Sequence, residues 1–92
     1  MTLLEIIHDP KQGQFRMEVD GKTALVNYTN QNGKLHLVHS EVPKELQGQG
    51  IGKVLVEKTF AYIEQHGLEA VAVCPFIKIV AQRSPKWKNI IG

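Results

Sequence analysis

Cysteine is almost missing from this sequence. Cys74 is the one thiol in 92 residues, so no intrachain disulfide can form, and a reducing compartment, the cytoplasm, is the expected location. Long apolar runs are missing as well. No stretch approaches the roughly 20 residues of a membrane-spanning helix, and Met1-Thr2-Leu3-Leu4-Glu5 lacks the basic and then apolar layout of a signal peptide, so no membrane partner is expected. There is no block of like charge either. The net charge is +2 with the histidines neutral, too small and too scattered for a nucleic-acid surface, although small anions suit it. The length suits one domain over residues 1–92, and no second domain is expected within it. Such a chain buries little surface per residue, so its stability should be marginal unless a ligand or the other subunits of a homo-oligomer add to it.

The residues that are present alternate in readable patterns. Leu4 to Ile7 reads as a short first strand, and His8-Asp9-Pro10-Lys11-Gln12-Gly13 as a turn. Phe15, Met17 and Val19 alternate with polar residues, as a half-buried strand requires. Asp20-Gly21 signals a hairpin, Ala24, Val26 and Tyr28 share one side of a third strand over 22–29, and Asn32-Gly33 signals a second hairpin. A period of two over 35–42 puts Leu35, Leu37, His39 and Glu41 on one face of a fourth strand and His36, Val38, Ser40 and Val42 on the other. Pro43 cannot donate to a ladder, so the strand is expected to lose pairing there and splay from its neighbour. From Ile51 to His66 the period becomes helical, with Ile51, Leu55, Val56, Phe60, Tyr62 and Ile63 on a broad apolar arc and Gly67 as the stop. Leu68 to Val73 predicts a short parallel strand, and the unbroken Val71-Ala72-Val73 implies cover on both faces. Cys74-Pro75 and Ser84-Pro85 each read as a cap followed by proline in the first helical turn, opening short helices over 76–83 and through Trp87 to Ile91.

Between the fourth strand and the long helix lies Gln47-Gly48-Gln49-Gly50-Ile51-Gly52-Lys53. Glycines at alternate positions let successive N–H groups turn towards one anion at a helix start. A dinucleotide loop needs a third glycine where Lys53 stands, and a triphosphate loop needs its first glycine at Gln47 and a hydroxyl at Val54, so both spacings fail. The plain alternative is that these glycines only shape a tight turn.

The remaining pattern, Gln47-x-x-Gly50-x-Gly52 between a splayed strand and a helix, resembles motif A of the GNAT superfamily of acetyl-CoA-dependent N-acetyltransferases. More narrowly, His39-Ser40-Glu41-Val42-Pro43 with Cys74-Pro75-Phe76 looks like the small, single-domain GNAT-like family within it. The resemblance implies an α/β (α+β) minimal GNAT fold: a mixed sheet of about five strands with an antiparallel N-terminal meander, one crossover helix and short C-terminal helices. It implies acetyl-CoA as cosubstrate and an amine as acceptor, with no metal. Val42, Gln47, Gly48, Gln49, Gly50, Ile51, Gly52 and Lys53 would hold the coenzyme, the backbone near Val42 serving as the oxyanion donor.

Glu41 and His39 are then the candidate bases, against the plainer reading of a solvated carboxylate and a packed histidine. Cys74, at a helix N-terminus, is a candidate nucleophile, against an inert buried thiol. Two features depart from the superfamily. Residues 76–83 hold no tyrosine to reprotonate a leaving thiolate, which leaves Cys74 or water. The segment 8–13 has room for a turn where two helices are usual, so the acceptor side should be open. Phe76 and Trp87 are expected to pack, and Lys78, Arg83, Lys86 and Lys88 to form a solvated basic side. A non-catalytic acyl-CoA-binding module, or an interaction domain without a cofactor, stands as the alternative.

Overall fold

A computed structural model describes residues 5–91. Five strands, β1 (Ile6–Asp9), β2 (Gln14–Val19), β3 (Lys22–Gln31), β4 (Lys34–Glu41) and β5 (Glu69–Ala72), form one sheet in sequence order. The first four make an antiparallel meander, and β5 pairs parallel to β4. Three helices follow the meander: α1 (Ile51–Gln65) crosses over from β4 to β5, and α2 (Pro75–Arg83) and α3 (Pro85–Ile90) close the described chain. This is the mixed five-stranded α+β architecture that the sequence implies.

The two hairpin turns arise from residues that tolerate the left-handed backbone region. Asp20 and Gly21 have φ of 51° and 76°, and Asn32 and Gly33 have 55° and 84°, the paired positive φ of a two-residue hairpin turn. At the β1–β2 turn the demand is steric. The Gly13 carbonyl accepts from the Tyr28 N–H at 2.8 Å, and a Cβ on Gly13 would lie 2.6 Å from the Tyr28 carbonyl oxygen.

One apolar cluster joins the inward face of the sheet to all three helices. Phe15, Met17, Val26 and Leu37 from the strands meet Leu55, Phe60 and Ile63 of α1, Ile77 of α2 and Trp87 of α3. Trp87 packs on Phe60 with ring centroids 5.6 Å apart, as expected of a core aromatic. Among the described residues the opposite face has no such cover. Ile7, Val38 and Val73 are all exposed, Val73 at 50%. Cover on both faces of β5 is therefore not found: Val71-Ala72-Val73 is uninterrupted by polar residues, but only Ala72 turns into the core.

Three boundaries differ from the sequence expectation. Strand β1 runs through His8 and Asp9, which pair with Phe15 and Gln14; its expected start at Leu4 lies outside the described residues. The histidine is tolerated because its ring stacks on Phe15 at 4.5 Å and bonds the hydroxyls of both Tyr28 and Tyr62. In β4, Asn27 of β3 pairs with His39 but Tyr28 pairs with Leu37, which leaves Val38 as a bulge. A bulge inserts one residue and resets the alternation. His39 and Glu41 consequently share the outer face with Asn27 and Leu25, while Ser40 pairs with Val26 on the core side. The expected single face of Leu35, Leu37, His39 and Glu41 is thus split at Val38. The third difference follows from the second: the separation of β4 from β5 begins after Leu37 rather than at Pro43, since the last paired residues are Leu37 and Ala72.

Candidate functional site

The end of β4, the loop after it and the first turn of α1 border an open pocket of about 410 Å³. Ser40 and Val42 form its strand wall, Gln47, Gly48 and Gly50 its loop, Ile51, Gly52 and Lys53 its helical end, and Leu46 and Phe76 complete it. Gly48 and Gly50 have φ of 84° and 75°, so the chain turns twice through a region closed to most side chains. The Gln47 side-chain amide donates to the Val42 carbonyl at 3.1 Å and ties the loop back to the strand end. Gln49 is directed elsewhere, donating to the Glu45 carbonyl at 3.2 Å, and does not line the cavity.

The start of α1 is built with its polar groups unspent. Its N-cap is Gly50, which offers no side-chain acceptor, and no acidic residue lies in the first turn. The first amides of a helix have no intrahelical acceptor, and the positive end of the helix dipole favours an anion beside them. Lys53 stands in the same turn, at the end of the helix where a cation is least favoured unless an anion is present. The donor set therefore fits a phosphate-bearing ligand. Gly52 adds a steric requirement: a Cβ there would lie 3.3 Å from the Phe76 ring and 3.5 Å from Val42 Cγ2.

Phe76 is 42% exposed and also borders a second cavity of about 380 Å³. Lys53 and Phe76 are common to both, and the second is lined further by Glu57, Ile79 and Arg83. The expectation of packing thus holds for Trp87 and not for the exposed Phe76 ring. Of the basic residues in the last segment, Lys86 pairs with Glu64 at 3.2 Å and lies over the Trp87 ring, while Arg83 reaches the second cavity.

Cys74 caps α2 ahead of Pro75 but makes no side-chain cap bond. Its Sγ lies 3.8 Å from Ser40 Oγ across the gap between β5 and β4. Burial pushes this thiol up, yet the nearby Ile77 backbone, the Ser40 hydroxyl and the backbones of Phe76 and Ser40 outweigh it, leaving the thiol below its ordinary range. His39 and Glu41, by contrast, are exposed on the outer face of the sheet. None of the three candidate catalytic residues lines the pocket: Cys74 meets Ser40, which does line it, whereas His39 and Glu41 lie on the opposite face of β4. Ser40 is the residue that reading the sequence missed, because simple alternation turns it away from Leu37, and only the Val38 bulge turns it inward.

Comparison with known proteins agrees with this geometry. A family model described as GCN5-related N-acetyl-transferase matches residues 14–90. The protein NATD1 of Danio rerio is 29% identical over 87 residues, covering 91% of this chain and 79% of its own. That of Xenopus tropicalis is 28% identical over 85 residues, covering 89% and 78%. An NMR solution structure of a GCN5-like protein from Staphylococcus aureus superposes with a TM-score of 0.70 at 25% identity, covering 100% of this chain and 91% of that one.

Proposed function

The chain belongs to the GCN5-related N-acetyltransferase family, and from that premise we propose that it transfers the acetyl group of acetyl-CoA to an amine. One observation carries the proposal: β4 parts from β5 beside a helix start, Gly50 to Lys53, that lines an open pocket. The pyrophosphate of the coenzyme accepts from the backbone of Gly48 to Lys53, with the adenosine end directed past Phe76 towards Arg83. The pantetheine amides pair with the strand edge that β5 leaves free near Val42. The thioester then lies in the gap, close to the plane of the sheet.

The residues on the two sides of the gap divide the chemistry. On the outer face Glu41 or His39 takes the proton of the attacking amine, directly or through one water. As the amine nitrogen bonds the acetyl carbon, a backbone N–H near Val42 stabilises the oxyanion. The carbon–sulphur bond breaks, and the leaving thiolate takes its proton from the Cys74 thiol. The lowered pKa of that thiol also favours a covalent route. In it the Cys74 thiolate displaces coenzyme A from the acetyl carbon, and the amine then displaces Cys74. The exposed outer face favours a bulky acceptor such as a protein or peptide.

A second reading, a non-catalytic acyl-CoA-binding module, is favoured by the lack of a tyrosine in residues 76–83. Mass spectrometry of the intact protein with acetyl-CoA and a panel of amines separates the readings. Acetylated amine supports the enzyme, and an acetyl mass on Cys74 that survives denaturation supports the covalent route. A non-covalent adduct with no product supports the binding module, and no adduct under native conditions overturns both.

A further inference from the structure

The bulge at Val38 has a consequence for a residue to which the reaction above gives no role. Without it the register of Tyr28 with Leu37 would continue, and Ser40 would face outward opposite Leu25. With it, Ser40 pairs with Val26 and turns its side chain to the core side, where it lines the cavity. Its Oγ is then 3.8 Å from Sγ of Cys74, within reach of a hydrogen bond to sulphur. Cys74 is fixed on its other side, since its own N–H donates to the Leu37 carbonyl at 2.9 Å. The sulphur is thus placed between a helix start and one hydroxyl.

We propose that Ser40 is a positioning residue for Cys74: its hydroxyl holds the sulphur at the gap and donates a hydrogen bond to the thiolate form. The inference rests on the acetyl-transfer reading in so far as it gives that thiolate a use. In either route a Cys74 thiolate forms, by giving up its proton to the leaving sulphur or before attacking the thioester. A hydroxyl donor stabilises the thiolate more than it stabilises the thiol, which needs no such donor. Charged side chains do not account for the effect. His39 and Glu41 face away on the outer side of β4, and Lys78, whose backbone amide bonds the Cys74 carbonyl, has an exposed side chain. What acts on the sulphur is burial, the α2 amides and Ser40.

The test uses the single cysteine as its own probe. Alkylation by iodoacetamide is followed by intact mass from pH 6 to 10 for the wild type, Ser40→Ala and Ser40→Thr. Ser40→Ala is expected to move the midpoint up by about half to one pH unit, a fall of about three- to tenfold in rate at pH 7. Ser40→Thr, which keeps the hydroxyl, is expected to restore the wild-type profile. A midpoint unmoved in Ser40→Ala, or moved equally in both variants, overturns the proposal. Should Ser40→Ala fail to fold by circular dichroism, Ser40→Val, which has the shape of threonine and strand propensity but no hydroxyl, makes the same test. A shifted midpoint in a protein that never consumes acetyl-CoA would sink the reaction and leave the pair standing; turnover with an unmoved midpoint would do the reverse.

Discussion

The carbonyl oxygen of Leu37 accepts two hydrogen bonds from beyond the end of β5, from the N–H of Val73 at 3.0 Å and from that of Cys74 at 2.9 Å. Both donors converge on one acceptor because β4 bulges at the next residue, so its later carbonyls are displaced from the β5 edge. Strand β4 continues to Glu41 paired with β3 alone. The gap between β4 and β5 therefore begins at one inserted residue.

Deleting Val38 should close that gap. Removal of the bulge residue leaves Leu37, Ser40 and Val42 on the core side and His39 and Glu41 outside, so the faces are preserved while the strand becomes regular. The deletion variant is expected to keep its circular dichroism spectrum and to lose coenzyme A binding in calorimetry. Undiminished binding would mean that the bulge does not open the site.

The glycines of the loop should separate stability from binding. Gly50→Ala places a Cβ in open space but at φ of 75°, which costs about 1–2 kcal/mol and disturbs the cradle. Gly52→Ala lies inside α1, where alanine gains about 1 kcal/mol of helix propensity, yet its Cβ pushes the Phe76 ring. Thermal melts should fall for the first and hold or rise for the second, while coenzyme A affinity drops in both.

Glu41→Gln and His39→Asn should act on turnover alone. Both side chains are exposed on the outer face, so neither change should move the melting temperature appreciably. Loss of the operating base lowers kcat by about 10²–10⁴, with coenzyme A affinity unchanged. Full activity in both variants would remove the base assignment.

A pH dependence of stability should arise far from the site. His8 is held below the ordinary imidazole value of 6.5, first by burial and then by His66, against a smaller opposing pull from Asp9. With the folded pKa below the unfolded one, the unfolded chain binds more protons between the two values, so stability rises with pH there. The contribution is complete above pH 6.5 and is lost as pH falls through the lowered value. Melting temperature should drop on acidification below pH 6.5, and His66→Gln should shallow that slope. An unchanged slope in His66→Gln would contradict the pairing.

Much of this fold is legible in the sequence where local chemistry sets it. Asp20-Gly21 and Asn32-Gly33 mark turns through their tolerance of positive φ, and Cys74-Pro75 and Ser84-Pro85 mark helix starts. Ser84 does cap, accepting from the Trp87 amide at 3.5 Å. Features set at long range are not legible. His8 reads as turn, yet it is held in β1 by Tyr62, 54 residues away. The Val38 bulge is invisible to a period of two, because Val38 itself is a good strand residue; it is betrayed only by the mixed faces that alternation assigns to β4. The cavity residues near the loop follow from the glycine spacing, whereas Ser40 depends on the bulge.

On the proposed reading, the loop and helix start hold the pyrophosphate of coenzyme A beside a strand edge left free by the bulge. Titration of ¹⁵N-labelled protein with coenzyme A, read by amide chemical shifts, tests it most directly. Saturable one-to-one shifts concentrated at Val42 and at Gly48 to Lys53, abolished by Lys53→Glu with Gly50→Ala, are the predicted result. No shifts, or shifts centred elsewhere on the sheet, would rule out this coenzyme site.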